Sequence, residues 1–160
     1  MNKADLLNSV ITQLQDDLDH AHKAALSAHE AATHEENIAE NKYDTLGLEA
    51  AYLATGQARR YEEIRTALKQ WKQLQLRPYS EEIGIQLGNL IQLTDTQDRR
   101  RWLFLGPGGA SMSLQHDGAS IQVIGPQAPL GKALLGKAPG DEVDLRLASG
   151  VQEFEVLSVE

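Results

Sequence analysis

Residues 7–32 read LNSVITQLQDDLDHAHKAALSAHEAA, and the spacing of their apolar side chains decides the fold of the N-terminal half. Leu7, Ile11, Leu14, Leu18, Ala21, Ala25, Ala28 and Ala32 alternate four and three residues apart, which is the seam of a coiled coil. Upstream, Asn2 followed by Asp5 resembles a helix-starting cap, and neither Gly nor Pro interrupts the chain before Gly47. A second seam runs through Ala50, Ala54, Gln57, Tyr61, Ile64, Leu68 and Trp71 and ends before Arg77-Pro78. Two long helices are therefore expected.

The two seams taper in opposite directions. The first goes from Leu and Ile to Ala, the second from Ala to Tyr, Ile, Leu and Trp. Antiparallel folding sets large against large and small against small, giving a hairpin that is wide at the end holding both termini and slim at its connection, residues 35–48. Arms of ~30 residues would be ~45 Å long.

After Pro78 the pattern changes to short period-two segments with frequent glycine, the mark of strands. Strands are expected near 85–94, 101–105, 120–125, 143–147 and 152–159. Asp117-Gly118, Pro139-Gly140 and Ser149-Gly150 mark turns, the last a tight hairpin, and residues 129–136 read as a short helix stopped by glycine. The expected fold class is α+β, with an N-terminal antiparallel α-helical coiled-coil hairpin (1–77) followed by a small antiparallel β domain with one short helix (78–160).

Composition narrows the partners. A formal charge of −8 argues against a protein that grips nucleic acid with its whole surface, and leaves a protein partner or a local basic stripe. The absence of cysteine removes disulfides and thiolate metal sites. The start is polar, with no signal peptide, and no apolar run reaches membrane-spanning length, so a cytoplasmic protein with no membrane partner is expected.

The last forty or so residues carry a more specific signal. Pro129-Leu130-Gly131-Lys132-Ala133-Leu134-Leu135-Gly136-Lys137, then Gly140-Asp141-Glu142-Val143 and the closing Phe154-Glu155-Val156, resemble the C-terminal domain of the GreA/GreB transcript-cleavage factors. That resemblance implies an FK506-binding-protein-like C-terminal domain placed after a coiled-coil hairpin, the order read above. It also implies a role: the C-terminal domain docks on RNA polymerase at the rim of its secondary channel, through Pro129, Leu130, Gly131, Lys132, Leu134, Leu135 and Gly136, while the hairpin enters the channel. The factor is then not itself an enzyme. Acids at the hairpin tip help to hold a Mg²⁺ of the polymerase active site, and the polymerase cuts its own backtracked RNA. No cofactor is expected on the chain alone.

The tip reads Glu35-Glu36-Asn37-Ile38-Ala39-Glu40-Asn41-Lys42-Tyr43-Asp44-Thr45. Ile38, Glu40, Asn41 and Tyr43 echo the family's word, whereas Asn37 stands where the family carries aspartate. A neutral amide is a poorer Mg²⁺ ligand than a carboxylate, so the acids assigned to the metal are Glu40 and Asp44, with Glu36 as a further catalytic candidate. As plain structure, the same acids would be a solvated helix end, with Asp44 an N-cap.

Arg59, Arg60 and Arg65, with Lys69 and Lys72, make the second helix basic, while Asp16, Asp17 and Asp19 make the base of the first acidic. The structural expectation is charge pairing across the hairpin; the functional one is contact of Arg59, Arg60 and Arg65 with the transcript 3′ end or the polymerase. His20, His22, His29 and His34 lack the spacing that stacks two imidazoles on one helix face and read as solvated. Arg99-Arg100-Arg101 after Asp95 and Asp98 reads as a charged turn. Gly106-Pro107-Gly108-Gly109 lacks the ending of a phosphate loop. A prolyl isomerase needs an aromatic-lined pocket, for which this domain offers only Trp102, Phe104 and Phe154. The rival functions are a channel-binding regulator without cleavage stimulation and a coiled-coil adaptor.

Overall fold

A computed structural model describes residues 1–34 and 45–160. Two helices come first, α1 (Lys3–Thr33) and α2 (Thr45–Gln73). Asn2 starts α1 as expected, its side-chain Oδ1 accepting the Ala4 N–H at 2.9 Å while its carbonyl accepts from Leu6. Lys3 Nζ donates to the Arg77 carbonyl at 2.7 Å, and the His22 ring lies 5.4 Å from that of Tyr61. Rising numbers on α1 thus meet falling numbers on the following chain, and the hairpin is antiparallel.

The contacts divide the chain into two compact units, Thr12–Leu68 and Met1–Ile11 with Lys69–Glu160. Within the first, Leu14, Ala21, Ala28, Ile64 and Leu68 are buried, and Leu18, Ala25, Ala32, Ala50, Ala54, Gln57 and Tyr61 are half-buried. Both seams hold from Leu14 onward. At the base they differ from expectation: Leu6 and Val10 are completely buried, whereas Leu7 and Ile11 are only partly so. The first turns of α1 belong to the unit containing the sheet, so the stripe buried there is set within that unit.

The second unit is built on a six-stranded sheet of order β3-β4-β2-β1-β6-β5. Its strands are β1 (Leu90–Asp95), β2 (Arg100–Leu105), β3 (Met112–His116), β4 (Ala119–Ile124), β5 (Glu142–Leu147) and β6 (Gly150–Val159). All neighbours are antiparallel except β2 and β4, which run parallel with Trp102 opposite Ile121 and Phe104 opposite Val123. The sheet is therefore mixed rather than antiparallel throughout. The reason is β3, a strand absent from the sequence reading: it occupies the edge, turns at Asp117-Gly118, and returns as β4 in the direction of β2. Residues 85–89, expected as strand, instead form turns that lead into β1. The β5–β6 hairpin is present with Leu147 opposite Gly150, so its two-residue loop is Ala148-Ser149, one position earlier than expected.

Both sheet faces are covered. On one, Ile91, Leu93, Leu103, Leu105, Val143, Phe154 and Val156 form a cluster with Ile85 and with Leu134 of the short helix α3 (Pro129–Leu134). On the other, Leu90, Phe104, Ile121 and Val123 are completely buried. Here the end of α2 enters: the Trp71 ring, wholly buried, lies 5.9 Å from that of Phe104, rests on Gly106 and donates its Nε1–H to the Gly108 carbonyl at 2.8 Å. Gly106-Pro107-Gly108-Gly109 is thus a seat for tryptophan. A side chain at Gly106 would occupy the space of the indole.

The charged turn between β1 and β2 is as the sequence suggested. Asp95 Oδ1 accepts the N–H groups of Gln97 (2.8 Å) and Arg99 (3.0 Å), and Oδ2 pairs with Arg99 Nε at 2.8 Å. The backbone donor of Arg99, foremost, holds the Asp95 carboxyl below the ordinary carboxylate range.

Candidate functional site

The 129–136 motif folds as a helix packed into the sheet, and this sorts its residues. Pro129 opens α3 at a position where no N–H is needed, after an extended Ala128. Gly131 faces the Gly125 carbonyl so closely that no side chain fits, and Leu134 is completely buried in the core. These two hold the helix down. Pro129, Lys132, Leu135 and Gly136 face outward, and Leu130 is half-buried.

Gly136 ends the helix with φ +79, its N–H donating to the Ile85 carbonyl at 2.9 Å, while Ile85 N–H donates to the Lys137 carbonyl at 2.8 Å. Gly84 packs directly on Gly136. Two exposed apolar side chains flank this contact, Leu135 at 40% and Ile83 at 56% exposure. Ile83 belongs to no sequence motif and lies ahead of the strand expected from residue 85, so only its exposure makes it a candidate. The outward face of the motif is therefore a lysine, a proline and two exposed aliphatics held on rigid backbone.

The α2 cations are placed differently from one another. Arg65 pairs with Glu62 on its own helix at 3.2 Å, whereas Arg59 and Arg60 are exposed with no ion pair among the described residues. Charge pairing across the hairpin is not found: among the described residues no salt bridge joins α1 to α2. What the two helices bury instead is their apolar seams. Glu36, Asn37, Glu40 and Asp44 lie outside the described residues, as does most of the expected tip.

Neither the histidines nor the sheet acids make a metal centre. Among the described residues no group of His, Asp and Glu is arranged to hold an ion. His20 is bonded to the Asp16 carbonyl at 2.7 Å and His22 rests on Tyr61. A shallow hollow is lined by Thr94, Thr96, Asp98, Glu142, Glu153 and Phe154. Its only aromatic is Phe154, which is buried beneath the Arg101 guanidinium at 5.5 Å, while Phe104 is sealed under Trp71. A hollow rimmed by carboxylates is a poor receptor for an apolar prolyl ring. No helix is long and apolar enough to cross a membrane among the described residues.

Comparison with known proteins gives the motif its setting. Residues 84–160 match the family described as "Transcription elongation factor, GreA/GreB, C-term". Among curated proteins, the chain is 49% identical over 37 residues to the transcription elongation factor GreA of Helicobacter hepaticus, covering 23% of each chain. It is 30% identical over 80 residues to GreA of Thermotoga petrophila, covering 50% of this chain and 47% of that protein. The matched region thus spans less than half the length of these relatives. Among solved structures, Gfh1 of Thermus aquaticus aligns over 96% of this chain and 95% of its own at 22% identity, with a TM-score of 0.42. Gfh1 of Thermus thermophilus aligns over 94% of both chains at 20% identity, with a TM-score of 0.39. Residues 84–160 are thus a C-terminal domain of the GreA/GreB family.

Proposed function

We propose that this chain is an accessory factor of RNA polymerase that docks through its C-terminal domain, sends the 1–77 hairpin into the secondary channel and stimulates the polymerase's own cleavage of backtracked RNA. The observation that carries this reading is the family match over residues 84–160. Docking falls to the outward face at Pro129, Lys132 and Leu135, joined by Ile83. The tip acids Glu40 and Asp44, with Glu36 beside them, are oxygen donors of the type a hard divalent cation takes. They would add ligands to a Mg²⁺ that the polymerase holds. Arg59 and Arg60, free of protein partners among the described residues, are the cations left for the transcript 3′ segment.

A second reading, channel occupancy without cleavage, is favoured by Asn37, which puts an amide where the family carries an acid. One experiment separates the two. The chain is added to a stalled, backtracked elongation complex and RNA length is followed. Shortening that is lost in Glu40→Ala or Asp44→Ala, with polymerase binding retained, supports the cleavage reading. Binding without shortening, reversed by Asn37→Asp, supports the modulator. Failure to retain core polymerase in a pull-down rejects both.

A further inference from the structure

Asp117-Gly118, the turn that joins β3 to β4, is the single place in the sequence where Asp or Asn precedes Gly. Both residues lie in the left-handed region, Asp117 at φ 50 and Gly118 at φ 77, the pattern of a two-residue hairpin turn. Glycine takes up that backbone freely, whereas a residue with a Cβ is strained in it. The Asp117 side chain is 68% exposed, with the His116 Nε2 3.5 Å from its Oδ2. The Gly118 N–H donates to no acceptor among the described residues, and the space where a side chain would stand is open. A carboxyl group that accepts no N–H therefore precedes an unhindered, unbonded amide. Other aspartates in the same unit are held in place. Asp95 accepts from Gln97 and Arg99, Asp141 accepts the Ala138 N–H at 2.8 Å, and each is followed by a residue with a bulky side chain, Thr96 and Glu142.

We propose that Asp117-Gly118 is a site of aspartate isomerisation, whose product is a substrate for a carboxyl methyltransferase that recognises a free isoaspartyl α-carboxylate. The Gly118 nitrogen gives its proton to solvent and attacks Cγ of the protonated Asp117 carboxyl. The new N–Cγ bond closes a five-membered succinimide as the C–OH bond breaks, and the hydroxyl leaves as water. A water molecule then opens the ring. Attack at Cγ restores aspartate; attack at the main-chain carbonyl breaks its bond to nitrogen and leaves Gly118 linked through Cγ, with the α-carboxylate free. One water leaves and one enters, so mass is conserved and nothing is oxidised or reduced. The methyltransferase would move a methyl group from S-adenosylmethionine to that free carboxylate. Isomerisation threads an extra backbone carbon through the turn. Strand β3 pairs with β4 alone, in a register that this turn sets by placing His116 opposite Ala119. A longer turn does not fit that register, so the edge strand loosens while the pairing of β1 with β2 and β6 stands.

The test keeps the full chain folded at mildly acidic pH for weeks and then cuts it with trypsin. Cleavage after Arg101 and Lys132 releases residues 102–132, in which Asp117 is the only aspartate and asparagine is absent, so an isomer in that peptide has one source. The aged sample should yield a second 102–132 peptide of identical mass and different retention, which accepts a labelled methyl group from S-adenosylmethionine in the presence of isoaspartyl methyltransferase. Asp117→Glu should yield none, because its ring would need six members. Asp117→Asn should form the same product several-fold faster, losing ammonia in place of water. Hydrogen exchange of the β3 amides should rise several-fold in the isomerised fraction, with the β1 amides unchanged. The proposal is overturned if fresh and aged chains give the same 102–132 peptide, if the isomer forms only in urea, or if another aspartate isomerises faster.

Discussion

Trp71 is expected to dominate the stability of the sheet unit, and two substitutions there separate its contributions. The side chain has no exposed surface, so Trp71→Ala removes all of its burial. A buried tryptophan covers ~200 Å², and at ~25 cal/mol per Å² its loss costs about 5 kcal/mol, within the ~3–5 kcal/mol typical of such truncations. Domains of this size are stable by ~5–15 kcal/mol, so the variant should be near the edge of folding. Trp71→Phe keeps a ring against Phe104 and Gly106 but removes the Nε1–H donor, leaving the Gly108 carbonyl without that partner. One hydrogen bond and part of an indole should cost about 2 kcal/mol. Urea unfolding followed by far-ultraviolet circular dichroism measures both. A Trp71→Ala cost under about 1 kcal/mol, or a Trp71→Phe cost equal to that of Trp71→Ala, would show that α2 does not seal this face of the sheet.

Other expectations follow from single contacts. Gly131→Ala should lower stability by several kcal/mol, measured by the same unfolding curve, because its methyl group would collide with the rigid Gly125 carbonyl. Asp95 has a folded-state pKa depressed chiefly by the Arg99 N–H, so its contribution is present above the unfolded carboxylate pKa and is lost as pH falls through the folded value. NMR titration of its carboxyl carbon should accordingly give a midpoint below that of an unstructured aspartate, and Arg99→Ala should move it only part of the way back. A fragment covering 78–160 lacks Trp71 and so uncovers Phe104, whose ring lies 5.9 Å from the indole. It should bind a hydrophobic dye and show weak near-ultraviolet dichroism, while a well-dispersed NMR spectrum would contradict that.

The helices were legible because their signal is local and repeated: from Leu14 to Trp71 every position read as seam is buried or half-buried, and the tapered sizes fixed the antiparallel sense. Where the helices serve a second partner, local periodicity failed. Leu6 and Val10 replace Leu7 and Ile11 because the first turns also meet a unit assembled from residues far along the chain. Strand β3 was lost for a related reason. Met112, Leu114 and His116 alternate with Ser113 and Gln115, but a short neutral edge strand leaves those side chains only half-buried, which weakens the contrast on which alternation depends. The Asp117-Gly118 turn was the better witness, since a two-residue turn with strand on one side requires a strand on the other. Parallel pairing of β2 with β4 then follows and could not have been read from either strand alone.

The candidate site divides along the same line. A sequence motif states which residues recur together and is silent on which way they point, so Gly131 and Leu134, which lock α3 to the core, stood in the 129–136 word alongside Lys132 and Leu135, which face outward. Conversely, Ile83 carries no motif and becomes a candidate only through exposure. The outward face has a chemistry that fits its proposed partner. Aliphatic side chains on backbone pinned by the Gly84–Gly136 contact suit a folded protein surface. Two variants check the division most sharply: Leu135→Asp should abolish retention by polymerase while keeping its unfolding midpoint, whereas Leu134→Ala should lower the midpoint because it opens the core. If Leu135→Asp were retained by polymerase as well as the wild type at an unchanged midpoint, the assignment of docking to this outward face would fall.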